Sequence, residues 1–147
     1  MKIGITLVVL VGAAAVGVAQ QDVPASETRS VWDGVYTEEQ AVRGASVYTD
    51  ECSSCHGEDL AGRDEAPPLS GALFMGNWDG LTVGDLFERI RVSMPQGDPG
   101  RLSRQQIADV LAHVLRFNRF PAGEAELARQ TEFLKLIRFE ATKPETK

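Results

Sequence analysis

Cys52-Ser53-Ser54-Cys55-His56 is the stretch of sequence that decides the fold. Its two thiols and one imidazole have the C-x-x-C-H spacing at which haem is attached covalently to a polypeptide. Each cysteine can add to one vinyl group of the porphyrin, and the adjacent histidine then lies under the iron as its proximal ligand. The motif therefore predicts one covalently attached haem c, held by Cys52, Cys55 and His56.

Other uses of this cysteine pair have less support in the sequence. Cys52 and Cys55 are the only cysteines, and His113 is the only histidine besides His56. A thioredoxin-like dithiol belongs to a βαβ pattern, which we do not find, and a zinc site needs further ligands at suitable spacing. A disulfide between residues three apart closes a very small loop and constrains the unfolded chain little. Haem attachment is the favoured interpretation.

The first residues have the composition of a secretory signal peptide. Met1 and Lys2 precede an apolar run over residues 3–18, and small residues follow at a plausible cleavage point. Because the apolar run is marginally short for a membrane span, we assign residues 1–19 to a cleaved signal peptide and predict a periplasmic protein. The alternative is an uncleaved membrane anchor formed by residues 3–18.

The chain is acidic, which bears on its partners. Its net charge is −6, and this becomes −7 when Lys2 leaves with the signal peptide. An acidic surface argues against nucleic acid and anionic membranes as partners. It is compatible with a basic patch on a partner protein, although solubility accounts for the charge equally well.

Helical capping patterns predict three main helices. A Ser or Thr is followed three residues later by Gln or Asp at residues 37–40, 82–85 and 103–106. Apolar residues with helical period follow each pattern, and we expect the second helix to end at Met94-Pro95 and the third at about Asn118. No strand pattern is found, so the fold is predicted to be all-α. The apolar positions are Ala41, Gly44, Ala45, Tyr48, Val83, Leu86, Phe87, Ile90, Ile107, Val110, Leu111, Val114 and Leu115.

The remaining segments set the domain boundaries. We predict a flexible leader over residues 20–35, a haem domain over residues 36–120, and a C-terminal extension over residues 121–147. Residues 57–80 have no helical or strand period, and such a long loop needs a cofactor to pack on. In the extension, residues 124–140 are predicted to be a short amphipathic helix that places Leu127, Leu134 and Ile137 on one side.

The sixth ligand of a haem iron is usually a soft sulfur or an imidazole. Met94 is our candidate because Pro95 fixes it at the end of a helix, in a loop that can fold over the ring. Met94 could instead be a core residue that closes the apolar stripe of that helix. Met75 is expected to pack in the haem pocket, with ligation left open. We expect His113 to be half exposed and hydrogen-bonded; an axial role, with two histidines on the iron, is the less favoured alternative.

Together these features resemble class I c-type cytochromes, small helical domains with one haem. The matching residues run from Gly44 to about Asn118, and the resemblance implies the all-α cytochrome c fold, with three main helices and a C-terminal helical extension around one covalent haem. It also implies export, since haem is attached to such proteins outside the cytoplasm. The carriers of the resemblance are Gly44, Tyr48, the CSSCH run, Pro67-Pro68-Leu69-Ser70-Gly71, Met94-Pro95 and the final helix.

The resemblance also implies roles for single residues. In this family the terminal helices cross at a small residue, here Gly44, and a loop carbonyl, here that of Pro67, accepts a hydrogen bond from the proximal imidazole. Trp78 resembles the aromatic residue that hydrogen-bonds a haem propionate, although core packing would explain it equally well. His113 departs from the family, whose final helices often carry an aromatic residue there.

The function that follows is electron transfer. Residues 77–94 and 117–123 resemble cytochrome modules that accompany periplasmic quinoprotein dehydrogenases. Iron ligated by His56 and Met94 has no open position for substrate, so we expect a non-catalytic carrier between a dehydrogenase donor and an oxidase or other acceptor. The protein would be a monomer or a subunit of a redox complex. The alternatives are a haem subunit fixed within a dehydrogenase, and a gas sensor or peroxidase with a displaceable distal ligand.

Overall fold

The computed structural model describes residues 28–145. The predicted signal peptide and its cleavage point lie outside these residues. Within residues 28–145 no helix is long and apolar enough to cross a membrane. The fold is all-α, as predicted, with one pair of two-residue strands. In chain order the elements are β1 Arg29–Ser30, α1 Glu38–Glu51, α2 Ser53–His56, α3 Gly71–Trp78, α4 Val83–Ser93, α5 Arg104–Phe117, α6 Thr131–Leu134 and β2 Ile137–Arg138.

The centre of the fold is the crossing of α1 and α5. Gly44 lies at the crossing, where a Cβ atom would come within 1.8 Å of the Asp109 carbonyl oxygen. Only glycine permits this approach, so the close crossing that the sequence indicated at Gly44 is confirmed. Ala41 and Tyr48 are buried on the same face of α1, and they continue the hydrophobic core on either side.

Two of the three capping patterns form complete capping boxes. Thr82 and Asp85 bond each other reciprocally at the start of α4, and Ser103 and Gln106 do so at the start of α5. The start of α1 has only half of the box: the Thr37 hydroxyl accepts a hydrogen bond from the Gln40 backbone N–H, but the Gln40 side chain accepts none from the Thr37 N–H. The Gln40 amide is fully buried and bonds a different segment of the chain.

Residues 28–35 are packed against the body of the protein, which corrects this part of the flexible leader predicted for residues 20–35; residues 20–27 lie outside the described residues. Val31 is fully buried, and β1 pairs in parallel with β2 of the C-terminal extension. The indole N–H of Trp32 donates to the Glu140 carbonyl at 2.9 Å. The segment shows no period because β1 is only two residues long, and its partner β2 is more than a hundred residues away in the chain.

Two further segments differ from the sequence-based expectation. Residues 71–78 of the expected loop form α3, whose run of consecutive apolar residues conceals any helical period. In the extension, the expected helix over residues 124–140 is a single turn, α6, followed by β2. Leu127, Leu134 and Ile137 are buried as expected. Their backbone environment differs because beyond the single turn of α6 the extension bonds other segments, as in the hydrogen bond from the Phe139 N–H to the Leu81 carbonyl.

Candidate functional site

The candidate attachment residues Cys52 and Cys55 lie at the junction where α1 ends and α2 begins. Cys52 caps both helices, and its carbonyl accepts from the backbone N–H groups of Cys55 and His56 at 3.2 and 2.9 Å. Both cysteines are free thiols, Cys52 half-buried and Cys55 exposed. Burial, with smaller contributions from Glu51 and Cys55, raises the pKa of the Cys52 thiol to about 11. The raised pKa keeps the Cys52 thiol protonated at neutral pH, and neither cysteine is tied up in a disulfide.

The imidazole of His56 has a fixed orientation. His56 is 8% exposed, and its Nδ1 lies 2.9 Å from the carbonyl oxygen of Pro67. Because a carbonyl only accepts, Nδ1 carries the proton and donates it, and Nε2 keeps its lone pair. A histidine held in this way has its tautomer selected, with Nε2 as the nitrogen that is free to bind a metal.

The loop between His56 and Pro67 is short and tightly folded. The Gly62 N–H donates to the His56 carbonyl at 2.9 Å, and a Cβ atom on Gly62 would lie 2.5 Å from the Ala66 carbonyl oxygen. Gly62 also has a φ of +79°, which favours glycine. The loop therefore returns the chain directly to His56 and presents the Pro67 carbonyl to its ring.

Tyr48 supports the same turn from α1, a role that the sequence did not indicate. Its hydroxyl donates to the Gly57 carbonyl at 2.7 Å and is buried, and burial raises the pKa of the phenol well above its ordinary value. The helical spacing of Tyr48 indicated only a core position. The hydroxyl adds an anchor for the residue that follows His56.

His113 lies against Tyr48 and differs from the expectation of a half-exposed, hydrogen-bonded histidine. Its ring centroid is 5.2 Å from that of Tyr48, it is 9% exposed, and its Nδ1 has no hydrogen-bond partner among residues 28–145. Burial, and then the nearby charge of Arg116, lower the pKa of the imidazole. His113 therefore occupies the position of an aromatic residue in the α1–α5 contact and is favoured in its neutral form.

The candidate for the sixth position lies on a separate element. Met94 is half-buried and caps α4, and its backbone N–H donates to the Ile90 carbonyl at 2.9 Å. The loop that follows is tied to the attachment segment, because Arg101 forms an ion pair with Glu51, the residue before Cys52.

Met75 and Trp78 both belong to α3. They are partly buried and packed against the hydrophobic core, and the Trp78 ring lies 6.4 Å from that of Phe74. This packing is the contact that the structure assigns to Trp78, and its role toward a propionate stays a prediction.

The residues present fit a covalently held haem. They supply two unpaired thiols, an imidazole whose free lone pair is on Nε2, and a thioether at a helix end. Within residues 28–145, no cluster of three or more His, Cys, Asp or Glu side chains could hold a metal ion by itself.

Known proteins are similar in sequence to the part of the chain that contains the candidate site. The sequence model of the family described as cytochrome C oxidase, cbb3-type, subunit III, matches residues 39–114. The cbb3-type cytochrome c oxidase subunit CcoP of Cereibacter sphaeroides is 30% identical over 76 residues, which are 50% of this chain and 26% of that protein. The chain thus spans about a quarter of the length of this curated relative.

One solved structure is also similar. The crystal structure of the sulfane dehydrogenase SoxCD from Paracoccus pantotrophus matches with a TM-score of 0.49 and 22% identity. The match covers 74% of this chain and 61% of that one.

Proposed function

This chain belongs to the family of cytochrome C oxidase, cbb3-type, subunit III, and on that premise we propose that it carries single electrons between periplasmic redox proteins. As a cytochrome c domain it contains covalently bound haem c, and haem electron transfer is the function of such a domain. In our proposal Cys52 and Cys55 would attach the haem, His56 and Met94 would bind its iron, and the protein would catalyse no reaction of its own.

The observation that carries the proposal is the hydrogen bond from His56 Nδ1 to the Pro67 carbonyl. This bond directs the Nε2 lone pair away from the loop and prevents the ring from rotating. When bound, the haem supplies a one-electron iron couple whose potential depends on its axial ligands and their surroundings. The Pro67 carbonyl keeps the His56 ring in one tautomer, and Tyr48 secures the turn behind the imidazole by donating to the Gly57 carbonyl.

The second ligand in the proposal is Met94. The residue is held by the last hydrogen bond of α4, and the Arg101–Glu51 ion pair connects the following loop to the attachment segment. A thioether that fills the sixth position leaves no open site for a substrate or gas. This separates a carrier from a peroxidase or gas sensor, in which the distal position must open.

The partners in the proposal are a dehydrogenase as electron donor and an oxidase or other acceptor. A haem subunit fixed within a redox complex is the second candidate, and it is favoured by the similarity to CcoP, an oxidase subunit. We place the protein in the periplasm, with residues 1–19 removed. N-terminal sequencing of the mature protein distinguishes this from an anchor retained at residues 3–18.

Absorption spectra of the haem-loaded protein test the proposal. The oxidised wild-type protein is expected to show the methionine-to-iron charge-transfer band, and the reduced protein is expected not to bind carbon monoxide readily. Met94→Ala should abolish the band, whereas Met75→Ala, the matched control, should retain it. Ligation by Met94 is contradicted if the wild-type protein lacks the band. It is also contradicted if Met75→Ala loses the band and Met94→Ala retains it.

A further inference from the structure

Helix α4, which leads to Met94, packs directly against the C-terminal extension. At its first turn Gly84 touches Lys135, the residue that follows α6. A Cβ atom on Gly84 would lie 2.6 Å from Lys135 Cγ and 2.7 Å from the Lys135 backbone nitrogen. This contact requires a glycine, because any side chain at position 84 would push α4 away from Lys135. The extension therefore limits the position of the first turn of α4.

Side chains join the second turn of α4 to the extension as well. The Thr131 hydroxyl donates to Glu88 Oε1 at 2.5 Å and accepts from Arg104 Nη2 at 2.8 Å. Glu88 also pairs with Arg91 one turn later, at 2.7 Å. Thr131 is therefore the link at which α4, α5 and the extension meet.

The extension is itself firmly attached to the rest of the fold, so it can serve as a fixed support. The buried Gln40 amide exchanges two hydrogen bonds with the backbone of Leu127, at 3.0 and 2.6 Å. At the other end Phe139 is fully buried and its N–H donates to the Leu81 carbonyl at 2.8 Å, just before α4 begins.

The chain beyond Met94 gives much less support than α4 does. Residues 96–100 are exposed, and their backbone forms turns within the loop. The nearest tie is the ion pair between Arg101 and Glu51, which is formed by a half-exposed arginine. The position of Met94 is therefore determined mainly by α4, to which its own N–H group is bonded through Ile90.

We propose that the C-terminal extension is a positioning element for the iron ligand Met94. The extension holds α4 in the place that would keep the Met94 sulfur bound to the iron. This rests on the proposed function, since it assumes ligation by Met94. Thr131 and Lys135 act as positioning residues through their contacts with Glu88 and Gly84. Weakening these contacts lets α4 move away more often, and an added ligand can then take the vacated position.

The test is the exchange of the sixth ligand in the oxidised, haem-loaded protein. Thr131→Val keeps the shape of the side chain and removes both hydrogen bonds. Imidazole should bind about ten-fold faster to this variant than to the wild type, as expected for loss of a hydrogen bond to a charged group. Thr142→Val, which changes an exposed threonine of the same extension, is the matched control and should bind imidazole at the wild-type rate.

Two further measurements separate positioning from simple stabilisation. Amide hydrogen exchange of residues 88–94 should increase in Thr131→Val, while that of α1 and α5 stays unchanged. Gly84→Ala forces α4 from Lys135 and should lose part of the charge-transfer band at room temperature. Wild-type rates of imidazole binding in Thr131→Val overturn the inference while leaving Met94 ligation intact. A wild-type protein without the band overturns both, so the two failures are distinguishable.

Discussion

The side chain of Gln40 and the backbone of Leu127 form a closed pair of hydrogen bonds inside the protein. The amide nitrogen donates to the Leu127 carbonyl at 3.0 Å, and the amide oxygen accepts from the Leu127 N–H at 2.6 Å. Gln40 is fully buried and satisfies both polar groups of a segment that has no regular secondary structure. One side chain of α1 thus anchors the start of the C-terminal extension.

Replacing Gln40 by leucine should be costly. Gln40→Leu leaves a buried N–H and a buried carbonyl without partners, and we expect the free energy of unfolding to fall by roughly 2–4 kcal/mol. Urea titration of the haem-loaded protein measures the change. Gln96→Leu, at an exposed loop position, should stay within about 0.5 kcal/mol of the wild type. Similar losses in both variants would show that the Gln40 pair contributes nothing specific.

The crossing of α1 and α5 gives a prediction with a sharp control. Gly44→Ala places a methyl group 1.8 Å from the Asp109 carbonyl oxygen and should destabilise the protein by about 3 kcal/mol or more, because two backbones must separate. Gly76→Ala lies within α3 and meets no atom within 4 Å, so it should stabilise by roughly 0.5–1 kcal/mol. Thermal unfolding of both variants tests the opposite signs.

The two buried tyrosine hydroxyls permit a comparison. Tyr48 donates to Gly57 and Tyr36 donates to Phe120, at 2.7 and 2.6 Å. Tyr48→Phe and Tyr36→Phe should each lower the free energy of unfolding by about 1–2 kcal/mol. Only Tyr48→Phe should speed amide exchange over residues 57–62, the turn that follows His56. Equal exchange in this turn for both variants would contradict a supporting role of Tyr48 at the site.

His113 makes stability depend on pH. The pKa of its imidazole is lowered in the folded protein. Below about pH 6.5 His113 is therefore protonated in the unfolded chain while it stays neutral in the folded protein. The contribution of neutral His113 is therefore fully present above that pH and is lost as the pH falls. His113→Phe removes the effect, and its free energy of unfolding should fall less between about pH 7 and pH 5, by up to roughly 1 kcal/mol.

The measurement for His113 is urea unfolding of the wild type and His113→Phe at both pH values. Parallel pH dependence in the two proteins would show that His113 titrates as it does in an unfolded chain. A phenylalanine suits the site because the ring already packs against Tyr48 and Phe117.

The sequence predicted those parts of the fold whose information is local. The caps at Thr82 and Ser103 and the glycine at the helix crossing each depend on a few neighbouring residues or on one steric requirement. The CSSCH spacing likewise predicts covalent haem from five consecutive residues, and the cofactor agrees with the family to which the chain belongs.

The parts that escaped prediction depend on distant partners. Val31 is buried where its backbone N–H bonds the Arg138 carbonyl of β2, and the Gln40 side chain bonds the buried Leu127 backbone and not the cap at Thr37. Neither partner is visible in a short window of sequence. The α3 helix escaped for a different reason, since consecutive apolar residues carry no period, and the burial of His113 follows from the close approach of α1 and α5.

The pairing of β1 with β2 has a consequence for the order of folding. Ser30 pairs with Arg138, and Trp32 bonds Glu140, so the two ends of the described chain close a loop around everything between them. The entropy of closing such a loop must be met before these contacts can form, and they are expected to form last. A chain that emerges amino end first therefore exposes Cys52 and Cys55 before Val31 has its cover. Haem can therefore be attached to the thiols before β1 pairs with β2. The contacts of Arg138 and Glu140 with residues 30–32 would then form after the attachment.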